Sequence, residues 1–229
     1  MKTLGLLGGL SWESTVPYYR FINEAVRSRL GGLHSAKILL ASVDFAEVEA
    51  LMRADRWDDA GGLLAALAAV LERAGAEALV LCTNTLHKVA PAIERALTIP
   101  LLHIVDPTAA AAKRAGMSCV ALLATGYTME AAFYADRLRQ HGLEVIIPES
   151  ADRAHVHRII FEELCRGKVL DESRRTYQGV IRRLAARGAE GVILGCTEIA
   201  MLISPADSAL PVFDTTALHA QHAAEWALA

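Results

Sequence analysis

The chain has no excess of positive charge, no long apolar run and no cysteine framework. Its 229 residues carry 23 Lys and Arg against 26 Asp and Glu, a formal net charge of −3. That balance offers no basic stripe to neutralise phosphates, so nucleic acid is not an expected partner. The best membrane-span candidate, Gly61 to Val70, is Ala-rich and is closed by Glu72 and Arg73. It falls well short of the roughly 20 apolar residues a span needs, so it reads as a buried helix and no membrane is expected. The N-terminus has one Lys, a short apolar run and then Gly8-Gly9. Without a small-residue cleavage pattern it reads as a first strand rather than a signal peptide. Four cysteines, at 82, 119, 165 and 196, are too few to staple a chain of this length. They are expected to be reduced thiols in a cytoplasmic protein. No Gly-Lys-Ser/Thr follows the Gly5, Gly8, Gly9 run, which sets aside a phosphate loop. His155-x-His157 and His219-x-x-His222 have no Cys or carboxylate at zinc spacing, so no metal is expected.

What is present is an alternation. Short Leu-rich or β-branched runs occur at Thr3–Leu7, Ala36–Val43, Ala78–Leu81, Leu101–Ile104, Cys119–Leu123, Glu144–Ile147, Gly191–Leu194 and Val212–Phe213. They are continuous rather than alternating, which suggests strands buried on both faces. Between them, Trp57–Ala74, Glu130–Gln140, His155–Cys165, Ser173–Arg187 and Ala217–Leu228 show the 3.6-residue period of helices. The class expected is α/β, with parallel sheets covered by helices on both sides.

An internal repeat carries more information. Gly75-Ala-Glu-Ala-Leu-Val-Leu-Cys82-Thr83 aligns without a gap on Gly188-Ala-Glu-Gly-Val-Ile-Leu-Gly195-Cys196. Leu4-Gly-Leu-Leu-Gly8-Gly9 resembles Val120-Ala-Leu-Leu-Ala124-Thr125, and the segment from Pro100 resembles that from Pro211. Three matches in one order imply two similar α/β lobes facing a shared cleft. The first lobe is expected over 1–103, with 214–229 packing back on it, and the second over 104–213. Ligands of open α/β sheets bind beyond the carboxyl ends of strands. The repeat therefore sets Cys196 opposite Thr83, while Cys82 matches Gly195.

Two groups on opposite faces of a ligand suit inversion of a carbon centre. One takes a proton from one face and the other returns a proton to the opposite face. Cys196 can act as a thiolate if a helix N-terminus lowers its pKa. Thr83 is too weak an acid to be a resident base, but it or a water it holds can deliver a proton. Cys82 would take that part instead only if a local shift of backbone turned it outward. Cys119, inside an apolar run, and Cys165, on a helix, read as core. The glycines after the first strand allow a small ligand close to the backbone near Ser11, and Thr125 and Thr128 occupy the matching loop of the second half.

Gly8-Gly-Leu-Ser-Trp-Glu-Ser-Thr15, Leu81-Cys-Thr-Asn-Thr-Leu-His87 and Leu194-Gly-Cys-Thr-Glu-Ile199 resemble signatures of the aspartate/glutamate racemase superfamily. The resemblance extends over essentially the whole chain. It implies two Rossmann-like lobes related by a pseudo-twofold axis, an active site in the cleft between them, no cofactor and a homodimer. The nearest branch comprises L-aspartate/glutamate-specific and broad-specificity amino-acid racemases; hydantoin racemases and maleate isomerases belong to the same superfamily. The resemblance also implies that Asn84, Thr85 and Thr197 hold the substrate α-carboxylate. Typical members have Cys-Asn-Thr where this chain has Thr83-Asn84-Thr85, so a Thr/Cys pair replaces two thiols. Where ordinary aspartate racemases carry a Lys, near 161–167, Cys165 stands; Lys168 or Arg53 are the substitutes considered for a side-chain carboxylate. The expected function is cofactor-independent racemisation of L-aspartate or L-glutamate through Cys196 and Thr83. The alternatives are broad specificity toward neutral amino acids, another superfamily isomerisation, or small-ligand binding without catalysis.

Overall fold

Each apolar run becomes a strand, and the Ala- and Leu-rich stretches between runs become helices. A computed structural model describes all 229 residues. In chain order it contains β1 (Leu4–Gly8), α1 (Trp12–Leu30), β2 (Ile38–Ser42), α2 (Phe45–Arg53), α3 (Trp57–Arg73), β3 (Ala78–Leu81), α4 (Ala90–Arg95) and β4 (Leu101–Leu102). There follow α5 (Val105–Arg114), β5 (Cys119–Ala124), α6 (Gly126–Met129), α7 (Ala132–Gln140), β6 (Glu144–Ile146) and α8 (Ser150–Glu162). The chain ends with α9 (Asp171–Ala186), β7 (Gly191–Gly195), α10 (Ile199–Leu202), β8 (Val212–Asp214) and α11 (Thr215–Leu228). Two compact units result, Met1–His103 with His219–Ala229, and Ile104–Leu218. No helix is long and apolar enough to cross a membrane.

Each unit holds a four-stranded parallel sheet, in the orders β2-β1-β3-β4 and β6-β5-β7-β8. The orders are the same, and so is the register of the central pair. Leu7 lies opposite Leu81 in one sheet, and Leu123 lies opposite Leu194 in the other. These are the positions the repeat equates.

The identical Gly-Ala-Glu of the repeat does identical work twice. Gly75 and Gly188 have φ of +102° and +98°, a conformation that ends α3 and α9 and that side chains resist. The next residue closes the helix end, Ala76 N–H on the Leu71 carbonyl and Ala189 N–H on the Leu184 carbonyl. The glutamate then clamps the start of the neighbouring strand. The Glu77 carboxylate accepts the Thr3 N–H at 2.7 Å, and Glu190 accepts the Cys119 N–H at 3.0 Å. The repeat is thus a helix stop, a packing residue and a register pin.

Both strand faces are covered, as the continuous runs require. In the first unit Leu4, Leu6 and Val80 share a core with Tyr18 and Ile22 of α1 and with Ala220, Ala223, Ala224 and Ala227 of α11. The opposite face takes α3, which packs on β1 and β3. In the second unit Leu122, Leu123, Ile193 and Leu194 pack with Ile159 and Ile160 of α8 and Tyr177, Val180 and Ile181 of α9. Helix α1 is not visible as a periodic stretch in the sequence. Its buried face begins with Ser14 and Thr15 and the helix contains Pro17, so the apolar stripe is interrupted.

Candidate active site

The site residues of the first unit lie where parallel strands β1 and β3 end. After β1 the chain turns at Gly9, φ +80°, where a Cβ would stand 2.3 Å from the Val43 carbonyl oxygen. Only glycine fits that turn, which brings Ser11 to the strand end. The Thr15 hydroxyl accepts the Gly9 N–H at 2.9 Å and donates to the Ser11 carbonyl at 3.1 Å. The Ser14 hydroxyl lies 2.8 Å from the Ser11 carbonyl and 3.4 Å from that of Cys82. The first turn of α1 thereby ties the loop after β1 to the end of β3.

Cys82 and Thr83 part company here. Cys82 is fully buried in the core formed by Leu4, Leu6, Tyr18 and Val80. Its Sγ faces the Val80 carbonyl at 3.8 Å, and burial pushes the thiol far above its ordinary range. Thr83, 7% exposed, begins the following turn with Asn84 and Thr85. The Thr83 carbonyl accepts a hydrogen bond from Nδ1 of His87 at 2.8 Å, so that nitrogen carries the proton. The His87 ring packs against His103, with centroids 4.4 Å apart.

The second unit presents its residues beyond β5 and β7. Thr125 caps α6, its carbonyl accepting the N–H groups of Thr128 and Met129. The Thr125 and Thr128 hydroxyls bond each other at 3.2 Å. Beyond β7, Cys196 is 8% exposed and Thr197 is equally enclosed. Both turn to Glu198, itself only 3% exposed. The Cys196 thiol donates to Glu198 Oε2 at 3.0 Å, and the Thr197 hydroxyl donates to the same oxygen at 2.6 Å.

This geometry corrects one expectation. Cys196 does not gain a lowered pKa from a helix N-terminus. Burial, and then the Glu198 charge, push it well above the ordinary thiol range, because both disfavour a second negative charge. The following helix, α10, is a single turn of four residues. The resting form is therefore the thiol, with a carboxylate in place to receive its proton.

Two contacts at this centre, those of Glu198 with Cys196 and with Cys165, are absent from the sequence reading. Glu198 lies within the Gly-Cys-Thr-Glu-Ile string, and its signal was an acid enclosed by apolar neighbours. Cys165 packs against the core, as expected, but it lies in a 3₁₀ turn, Leu164–Arg166, and its thiol stands 3.6 Å from Glu198 Oε1. Nothing local in the sequence announces a contact across 33 positions. Of the cations considered for a substrate side chain, Arg53 is exposed and bonded to Glu49 at 3.0 Å, and Lys168 is exposed. No three His, Cys, Asp or Glu side chains stand close enough together to hold a metal ion.

His157 has a different task from the metal ligand it was weighed as. Its Nδ1 accepts the Gly126 N–H at 3.0 Å and so holds the loop after β5. Burial lowers its pKa, against a smaller opposing effect of Glu130. The folded protein therefore favours the neutral ring. The stabilisation is present above the unfolded pKa of about 6.5 and is lost as pH falls through the lower folded value. The wild-type melting temperature is expected to drop more between pH 7.5 and 5.5 than that of His157→Gln, as read by calorimetry. Equal drops would show that the ring is not a titrating support.

Comparisons with known proteins point to one family. The Asp/Glu/Hydantoin racemase family profile matches residues 7–223. A crystal structure of a candidate Asp/Glu racemase from Yersinia pestis is 55% identical, with a TM-score of 0.93 and 100% of each chain covered. The structure of PH1733, an aspartate racemase homologue from Pyrococcus horikoshii, is 33% identical, with a TM-score of 0.86 and 100% of both chains covered. Among curated proteins, the broad specificity amino-acid racemase RacX of Bacillus subtilis is 25% identical over 217 residues, covering 93% of each. With a profile match along most of its length and two solved structures more than 30% identical over the whole chain, the chain belongs to the Asp/Glu/Hydantoin racemase family and is an isomerase.

Proposed function

We propose that this protein racemises L-aspartate or L-glutamate without a cofactor, by moving the α-proton between Cys196 and Thr83 or a water that Thr83 holds. The observation that carries the proposal is the Cys196 thiol, buried and 3.0 Å from the Glu198 carboxylate. Burial and the Glu198 charge hold it as a thiol at rest, and the carboxylate is the group within reach to take its proton once substrate is bound. Cys196 passes its proton to Glu198, and the thiolate then takes the α-proton. Water at Thr83 protonates the other face of the carbanion, and the Glu198 carboxyl proton neutralises the hydroxide left behind. The pairing of Thr83 with Cys196 rests on the repeat, and the fully core position of Cys82 supports it. Hydrogen bonds from Asn84, Thr85 and Thr197 are assigned to the α-carboxylate, where they stabilise charge that develops during the reaction, and Ser11, Thr125 and Thr128 are assigned to substrate binding.

A second reading has its own support. The likeness to the broad specificity racemase RacX favours a wider substrate range, and the negative charge of Glu198 beside the reacting thiol favours including amino acids with neutral side chains. One experiment separates the readings. Wild-type protein is incubated in D₂O with L-Asp, L-Glu, L-homoserine and L-Ser, and α-proton exchange is followed by NMR. Exchange confined to the acidic pair supports the proposal, and exchange that includes the neutral pair supports the second reading. Exchange with none would overturn racemisation and leave a ligand-binding protein.

The assignment of the second group has a separate test. Thr83→Cys is expected to raise turnover of the D-enantiomer several-fold, because it supplies a stronger acid and base. Cys82→Ala is expected to leave exchange within about twofold of wild type, since that thiol belongs to the core. A large loss in Cys82→Ala would reverse the two roles.

A further inference from the structure

We propose that Cys165 is a positioning residue that fixes the Glu198 carboxylate for proton transfer with Cys196. The inference rests on the acid/base role of Cys196 proposed above. Glu198 receives two donors on one oxygen, from Cys196 and Thr197, both beyond β7. Its other oxygen faces the Cys165 thiol at 3.6 Å, which comes from a different part of the chain. A carboxylate gripped on one oxygen only can rotate about its terminal torsion, which is broad. A donor on the second oxygen holds the plane.

The thiol is placed by a stiff turn. Leu164 is fully buried in the core of this unit. The Glu163 carbonyl accepts the N–H groups of Arg166 and Lys168, and Gly167 adopts φ +69° to close the turn. The Glu163 side chain is itself secured by Arg158 at 2.9 Å and by Ser173. On the side of α9 stands Tyr177, fully buried, its hydroxyl donating to the Val156 carbonyl at 3.3 Å. Its phenol is pushed well above its usual range by burial and by the nearby Cys196, Glu163, Cys165 and Glu198 charges. The turn thus presents the Cys165 thiol as a donor to Oε1. A neutral thiol suits the place, because it orients the carboxylate without cancelling its charge.

Steady-state kinetics on three variants test this. Cys165→Ala is expected to lower kcat roughly tenfold, the scale of one hydrogen bond to a charged group, with KM unchanged. Cys165→Ser retains a donor and is expected to stay within about threefold of wild type. Cys165→Val fills the volume without a donor and is expected to behave like the alanine variant. Melting temperatures of all three are measured alongside. If Ser, Ala and Val lose kcat alike, or lose it only in step with melting temperature, Cys165 is packing and the proposal falls. If KM rises while kcat holds, Cys165 contacts the substrate and the proposal also falls. Absence of exchange in the wild type itself would strike at the racemase reading instead.

Discussion

Cys196→Ala is expected to abolish α-proton exchange in D₂O, with a loss of at least about 10³-fold, within the range removed with a principal acid/base group. The change deletes the sulfur that takes the proton and leaves Glu198 with Thr197 and Cys165 as donors, so folding should be preserved. Circular dichroism and melting temperature check that. Cys196→Ser separates position from acidity. A serine hydroxyl can still donate to Glu198 Oε2, but an alcohol is many orders of magnitude weaker as an acid than a thiol. Exchange in the serine variant is expected to be as low as in the alanine variant. Substantial exchange in either would move the chemistry to another residue. Measurement from both enantiomers adds a constraint. The two forms have equal free energy in water, so kcat/KM must be equal in the two directions, and any variant that seems one-sided is being read through saturation.

Glu198→Gln is expected to lower exchange by about 10²-fold or more while making Cys196 easier to ionise. The two effects have one cause. In the wild type the Glu198 charge is among the causes that raise the Cys196 thiol. An amide has no charge, so the thiolate forms at lower pH, as thiolate absorbance in a pH titration would record. The same amide cannot take up the proton that Cys196 must lose in each cycle. A variant with a more acidic thiol and a slower reaction would identify Glu198 as the proton acceptor. Undiminished exchange would show that the carboxylate only packs beside the thiol.

The strands were legible because burial on both faces leaves a continuous apolar run. Ala78–Leu81 is expected and found without change, and Glu144–Ile147 differs from β6 by one residue. Helix α1 was hidden because its inward face opens with serine and threonine, which serve the loop at Ser11 rather than the core. Residues at strand ends were legible because the repeat equates them pair by pair, and Thr83 and Cys196 do follow the ends of β3 and β7. The partner of Cys196 was not, for two reasons. A thiol near a helix start reads as an ionised thiol, yet enclosure outweighs a one-turn helix here. The contact of Cys165 with Glu198 joins segments 33 positions apart, and no local pattern encodes it.

The C-terminal residues have a consequence for the order in which the protein can be completed. Ala220, Ala223, Ala224 and Ala227 belong to the core around β1 and β3, and the Ala227 carbonyl accepts the Lys2 N–H at 2.8 Å. His219 joins Tyr18, 2.8 Å from its Nδ1, to the Leu102 carbonyl, 2.7 Å from its Nε2. The unit that leaves the ribosome first is therefore the one finished last. Through synthesis of all of Ile104–Leu218 its sheet waits with one face covered only in part, by α1, while the later unit is complete once Leu218 is made. A nascent chain stalled before residue 219 would expose that face to chaperones, and the waiting half, rather than the growing one, is where synthesis is most vulnerable to aggregation.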